Sequence, residues 1–223
     1  LIRQNYNKSS SGSQFFIKKI IKINNMLRLL IATTNPGKRE EFVSLLAHPA
    51  IQPVFPADLG LHMEVEETGT TYRENALLKA DALYKASGMT TLADDTGLEV
   101  AALGGRPGLY SARYARMLVN SDGGRRQELL RELAAYPRPW NARFVCVAAV
   151  ARPGLPTLTF EGQVAGEIIP QERGDFGFGY DRIFYIPAVQ KTMAELGMDE
   201  KNLYSHRALA VKAALVELLK MID

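Results

Sequence analysis

The apolar positions of the chain come in short bursts of changing period. Leu27-Arg28-Leu29-Leu30-Ile31-Ala32 is a compact apolar run, followed by the turn-prone Thr33-Thr34-Asn35-Pro36-Gly37. From Lys38 to Ala47 the apolar residues Phe42, Leu45 and Leu46 fall at helical spacing, so the opening reads as strand, loop and helix. Pro53 to Asp58 offers a second strand. Tyr72 to Ser87 predicts a helix with Tyr72, Ala76, Ala80, Leu83 and Tyr84 along one face, and Thr90 to Ala93 a short buried strand that ends at Asp94-Asp95-Thr96-Gly97. After the loop Gly104-Gly105-Arg106-Pro107-Gly108, Arg125 to Tyr136 reads as a helix. Ala142 to Arg152 and Thr157 to Gly166 then form a long hairpin across Pro153-Gly154-Leu155-Pro156. A glycine-rich stretch, Gly174 to Asp181, precedes a last helix from about Ser205 to Met221. The pattern is mixed α/β. No linker or repeat interrupts the body, so two closely joined lobes around a cleft are expected over 26–223 rather than independent domains.

Composition narrows the setting. Of 223 residues, 47% are hydrophobic and 23% charged, an ordinary globular balance. The formal net charge of +3 belongs to the first 25 residues, where Arg3, Lys8, Lys18, Lys19 and Lys22 meet no acid; beyond them 22 basic residues face 24 acidic ones. The body therefore lacks the basic excess of a nucleic-acid-binding surface. Residues 1–14 read as disordered, and residues 15–25 as a short basic amphipathic stretch lying outside the fold, with membrane-surface contact or organelle targeting as the alternative. No run approaches the roughly 20 apolar residues of a membrane span. Cys146 is the sole cysteine, which rules out an intrachain disulfide and suits a reducing, cytoplasmic setting; within Phe144-Val145-Cys146-Val147-Ala148 it reads as a buried, inert thiol.

Four groups of residues carry candidate chemistry. Thr33-Thr34-Asn35-Pro36-Gly37-Lys38 joins a strand to a helix N-terminus, where backbone amides and a lysine suit a phosphate, although the Walker A pattern is absent. Glu64, Glu66, Glu67 and Glu74, with Asp94-Asp95 at a strand end, offer oxygen ligands of the kind magnesium uses against substrate phosphates. Adjacent strand residues face opposite sides, so the two aspartates are expected to divide their work. Gly177-Phe178-Gly179-Tyr180-Asp181 interleaves aromatic faces and a carboxylate with glycine, which suits a flat base. Lys201 and Ser205-His206-Arg207 place cations at a helix start, against the dipole, where an anionic or carbonyl-bearing ligand would explain them.

Taken together with Glu66-Glu67-Thr68-Gly69, Glu74-Asn75-Ala76 and Gly104 to Arg113, these blocks resemble, in order and spacing, the inosine/xanthosine triphosphate pyrophosphatase family from Leu27 to the C-terminus. The resemblance implies an elongated mixed sheet flanked by helices, two lobes, a homodimer, and Mg2+-dependent cleavage of ITP, dITP or XTP to the monophosphate and pyrophosphate. It assigns Thr33, Thr34, Asn35, Pro36, Gly37 and Lys38 to the triphosphate, Glu66 and Asp95 to magnesium, and Asp95 to activation of water. Thr96 stands where the family often has serine. Phe178 would stack on the purine, with Gly179, Tyr180, Asp181, Lys201, His206 and Arg207 around it. Arg182 replaces the family's proline after Asp181, which loosens the turn or adds a cation beside the base pocket. The competing readings are a pyrophosphatase for other modified nucleotides and a nucleotide-binding protein without turnover.

Overall fold

The computed structural model describes residues 26–114 and 121–222; the expectations for residues 1–25 lie outside them. Eight strands form one sheet: β1 Leu27–Ile31, β2 Ile51–Val54, β3 Thr91–Val100, β4 Pro107–Gly108, β5 Trp140–Arg152, β6 Leu155–Ile168, β7 Phe184–Ile186 and β8 Lys191–Thr192. Their order is β2-β1-β3-β5-β6-β7-β8, with β4 paired to β3 off this path. β1 runs parallel to β2 and β3, and the other pairs are antiparallel. The helices are α1 Pro36–Leu45, α2 Tyr72–Ser87, α3 Asp122–Leu133, α4 Met198–Tyr204 and α5 His206–Leu219.

Side-chain alternation on the central strands sorts the core into faces. Leu92, Cys146, Ala148 and Val150 pack with Phe42 of α1 and Val211 and Ala214 of α5. Their neighbours Ala93, Val147, Ala149 and Ala151 point the other way, onto Ala76 and Ala80 of α2. The small residues on that side let α2 lie close to the sheet. A further cluster, including Leu98, Leu129, Trp140, Phe144, Ile168 and Phe184, fills the other end of the long β5–β6 hairpin. Cys146 is fully buried, and burial, followed by the nearby Asp94 carboxylate, pushes its thiol up to about 12, as an inert core thiol requires.

Several element boundaries differ from the expectations. β3 does not stop before the aspartates but carries Asp94, Asp95, Thr96 and Gly97 through ten residues of pairing with β5, Thr91 opposite Ala151 to Val100 opposite Ala142. Polar residues are tolerated there because Asp95 and Thr96 line a cleft and the buried Asp94 is paired with Lys38 and Arg207. The second strand is Ile51–Val54, and Pro56–Leu59 is a 3-10 turn, since Pro56 begins a turn capped by the Asp58 carboxylate on Phe55 N at 2.9 Å. Asn35 caps α1 by accepting from Lys38 N at 3.0 Å, so the helix begins at Pro36. Ser121 caps α3 three residues earlier than its apolar spacing suggests. The hairpin is longer than expected and its turn shorter, around Pro153-Gly154. α4 was not expected; it is one short helix held against α1 and α5.

Candidate active site

The cleft lies where the β1–α1 loop, the middle of β3, the glycine-rich loop and the start of α5 converge, with about 920 Å³ of free space open to solvent. Asn35 and Lys38 line it from the loop, and the exposed Pro36 fills the first helical position without leaving an N–H unused. Thr33 and Thr34 face an adjoining cavity with Arg39, Phe55 and His62, so the loop divides its residues between two spaces. A Cβ on Gly37 would lie 2.3 Å from Cδ1 of Phe178, so glycine is what lets the aromatic ring lie directly over the loop.

The aspartate pair divides as its alternation predicts. Asp94 is fully buried on the α1/α5 side: Lys38 Nζ donates to Oδ1 at 2.9 Å, while Arg207 Nε and Nη2 donate to Oδ2 at 3.1 and 3.0 Å and Thr96 Oγ1 at 2.9 Å. Burial alone would raise its pKa, but Lys38 and Arg207 overcome that and hold the carboxyl well below the usual range. Asp95 faces α2. It accepts from Asn75 Nδ2 at 3.1 Å and lies 3.6 Å from Lys79 Nζ, and burial, reinforced by the Glu67 carboxylate, raises its pKa. One carboxylate is therefore pinned as an anion, while the environment of its neighbour shifts the pKa the opposite way.

Glu66, the expected magnesium ligand, is exposed and does not line the cleft; Glu67 does. In this irregular segment no strand or helix period tells the two acids apart, which is why the sequence left the choice open to error. Glu67 Oε1 lies 2.5 Å from Lys79 Nζ, and Arg113 Nη2 lies 3.5 Å from its other oxygen. Lys79 thus sits between Glu67 and Asp95, and an ammonium occupying that position shows that the two carboxylates converge on a cation. Among the described residues no group of three or more metal-ligating side chains occurs, so no all-protein cage exists. Two hard oxygen donors around one cation position would suit a divalent ion such as magnesium. Glu74, by contrast, accepts from Thr70 N at 2.6 Å and stabilises the start of α2.

At the opposite end, Lys201 Nζ lies 2.6 Å from both Glu41 Oε1 and Asp181 Oδ2, and Arg207 Nη1 pairs with Glu41 Oε2. Lys201 on α4 and Arg207 at the start of α5 thus answer to buried protein acids. Phe178 lies beneath them, its ring centroid 5.4 Å from Lys201 Nζ and 5.8 Å from Arg207 Cζ. His206 stacks on Phe144 at 4.6 Å, and among the described residues its buried Nδ1 has no hydrogen-bond partner. Burial, then Arg207, drives its pKa well down, so it faces the cleft as neutral imidazole. Gly162 on β6 permits this approach, since a Cβ there would meet His206 O at 2.2 Å.

Residues 29–217 match the Ham1 family. The chain belongs to that family. It is 47% identical to a dITP/XTP pyrophosphatase of Bacillus subtilis (strain 168) over 188 residues, 84% of this chain and 94% of the relative. A protein of the same description from Thermus thermophilus is 45% identical over 190 residues, 85% of this chain and 90% of the relative. Among solved structures, a HAM1 protein from Coxiella burnetii superposes with a TM-score of 0.78 at 39% identity, covering 87% of this chain and 100% of that one. The Staphylococcus aureus Ham1 protein gives 0.76 at 41%, covering 87% and 99%.

Within this Ham1-family cleft, most of the residues expected from the sequence do come together: Asn35, Lys38, Asp95, Thr96, Phe178, Gly179, Tyr180, Asp181, Lys201, His206 and Arg207 all line it. Two differ in what they can offer. Tyr180 is buried and donates its hydroxyl to Ser111 O at 2.9 Å, and Arg207 has its donors on Asp94, Glu41 and Thr96. Arg182 does not reach the base pocket; it extends toward Glu172 and Asp175, at 3.8 and 3.4 Å. Glu41, Asn75 and Lys79 were missed. Each lies on a helix whose apolar face drew the sequence reading, and only a polar residue spaced with that face, as Glu41 is beside Phe42 and Leu45, signals a buried role.

Proposed function

We propose that this chain hydrolyses inosine- and xanthosine-type purine nucleoside triphosphates, dITP, ITP and XTP, to the monophosphate and pyrophosphate. The observation that carries the reading is the unequal pair Asp94 and Asp95: one locked as an anion beneath Lys38, the other lining the cleft beside Asn75 and Lys79 and raised in pKa. The printed names of the relatives support the substrate class.

In this reading the base end holds the substrate by stacking on Phe178, with neutral His206 beside it in the cleft wall. A purine bearing an oxo group at C6 and one bearing an amino group present opposite hydrogen-bonding partners there, so the wrong one leaves a buried group unpaired. Asn35 and Lys38 orient the triphosphate at the start of α1. Asp95 takes the proton of a water whose oxygen attacks the α-phosphorus in line; the bond to the bridging oxygen breaks, and pyrophosphate departs toward Lys38. Glu67 and Asp95 are the residues that would hold magnesium, which would supply Lewis-acid stabilisation of the phosphate charge. The reading includes residues 26–223 acting as one two-lobed unit, a homodimer, and residence in the cytoplasm, which a lone buried thiol suits.

The test is pyrophosphate release from ITP, dITP, XTP, ATP, GTP and CTP, with and without magnesium. Metal-dependent release mainly from the first three supports the proposal; release mainly from CTP moves the substrate class, and no release from any leaves a binding protein.

A further inference from the structure

The loop that carries Phe178 is tied to α3, one of whose holding side chains, Asp122, also lines the cleft. Arg126 on α3 is 8% exposed, and its Nη1 donates to Gly179 O at 2.8 Å. Its Nε and Nη2 donate to Glu172 Oε1 and Oε2 at 2.7 and 3.0 Å, a two-pronged pair. Asp122, at the first position of α3, accepts from Gly179 N at 2.6 Å. Both backbone polar groups of the residue after Phe178 are thus tied to charged side chains of one helix. Glu172 precedes the loop and Arg182 follows it, 3.8 Å from the same carboxylate, so both ends of the loop converge on Glu172.

We infer that Arg126, with Asp122 and Glu172, is a positioning clamp that presets the Phe178 loop for the nucleobase, and so governs base affinity separately from affinity for the phosphates. Charge-assisted bonds to a planar guanidinium fix direction as well as distance, which an ammonium cannot reproduce. A loop already set in its binding position loses less freedom when the base arrives. The phosphate-binding residues Asn35 and Lys38 belong to α1 and make none of these contacts, so the two halves of the ligand are separable.

The inference rests on the proposed reading of Phe178 as the base platform, and it is tested on the full chain by calorimetric titration with inosine monophosphate and, separately, with pyrophosphate in magnesium. Arg126→Met and Glu172→Gln are each expected to weaken the monophosphate about tenfold, to leave pyrophosphate within about twofold, and to raise KM for dITP more than they lower kcat. Arg126→Lys should restore only part of the loss. Glu172 is one-third exposed, so its isosteric variant decides the matter if Arg126→Met does not fold. Monophosphate affinity equal to wild type in Glu172→Gln, or parallel loss of both ligands in it, overturns the clamp. A wild-type protein that binds no inosine monophosphate sinks the base-platform reading itself and the clamp with it.

Discussion

Glu41 is the buried acid on which two site cations depend, and replacing it with glutamine is a sharp test of the electrostatics. Burial pushes its carboxyl up, but Arg207 and Lys201 together hold it at about 2, against an ordinary 4.5. That difference corresponds to about 3 kcal/mol favouring the ionised form in the folded state. It agrees with the roughly 3–5 kcal/mol lost when one partner of a buried ion pair is removed and the other is left uncompensated. Glu41→Gln keeps the shape and removes the charge, so urea unfolding at neutral pH should show a loss of about 3 kcal/mol, and melting should fall by roughly 6–12 °C. The pH dependence has a definite sign. A carboxyl whose folded pKa lies below its unfolded value stabilises the fold above 4.5 and loses that contribution as pH falls toward 2. The gap between wild type and variant should therefore be full at neutral pH and close in acid. A gap under about 1 kcal/mol, the range of an exposed pair, or one that does not shrink with acid, would refute the argument.

Three further outcomes follow from the site. Asp95→Asn should lower kcat by at least about 100-fold at saturating magnesium; a variant within about threefold of wild type would remove Asp95 from the chemical step. Glu67→Gln should raise the magnesium concentration for half-maximal activity about tenfold or more, whereas Glu66→Gln should titrate like wild type; the reverse order would restore the sequence-based assignment. Gly37→Ala pushes a methyl to within 2.3 Å of the Phe178 ring and should raise KM for dITP about tenfold, a stacking loss of about 1.4 kcal/mol; an unchanged KM would place the base elsewhere.

How much of this could be read beforehand depended on the kind of signal. Apolar periodicity located β1, α2 and the β5–β6 hairpin, because those elements bury one continuous face. It cut β3 short at Asp94, since Asp94, Asp95, Thr96 and Gly97 interrupt the apolar run before Leu98 and Val100 resume it. It passed over α4, whose seven residues span too few turns to show a period. The chemistry was legible where residue type and turn geometry coincide, as at Asn35, Lys38, Asp95 and Phe178. It was not legible where partners come from remote elements: Arg207 looked free at a helix start until Asp94 and Glu41 arrived from β3 and α1. Lys79 met Glu67 only through the folding of an irregular segment.

The ten-residue pairing of β3 with β5 has a consequence for how this protein can change over time. Because Asp94 and Asp95 are assigned to opposite faces by the strand's two-residue repeat, gaining or losing one residue between Thr91 and Ala93 would turn the strand over and exchange their surroundings. The carboxylate that ought to remain mobile toward protons would be locked beneath Lys38 and Arg207, and the locked one set loose beside Lys79. Divergent copies can therefore vary this strand by replacing side chains, while its length is held constant by the site it carries.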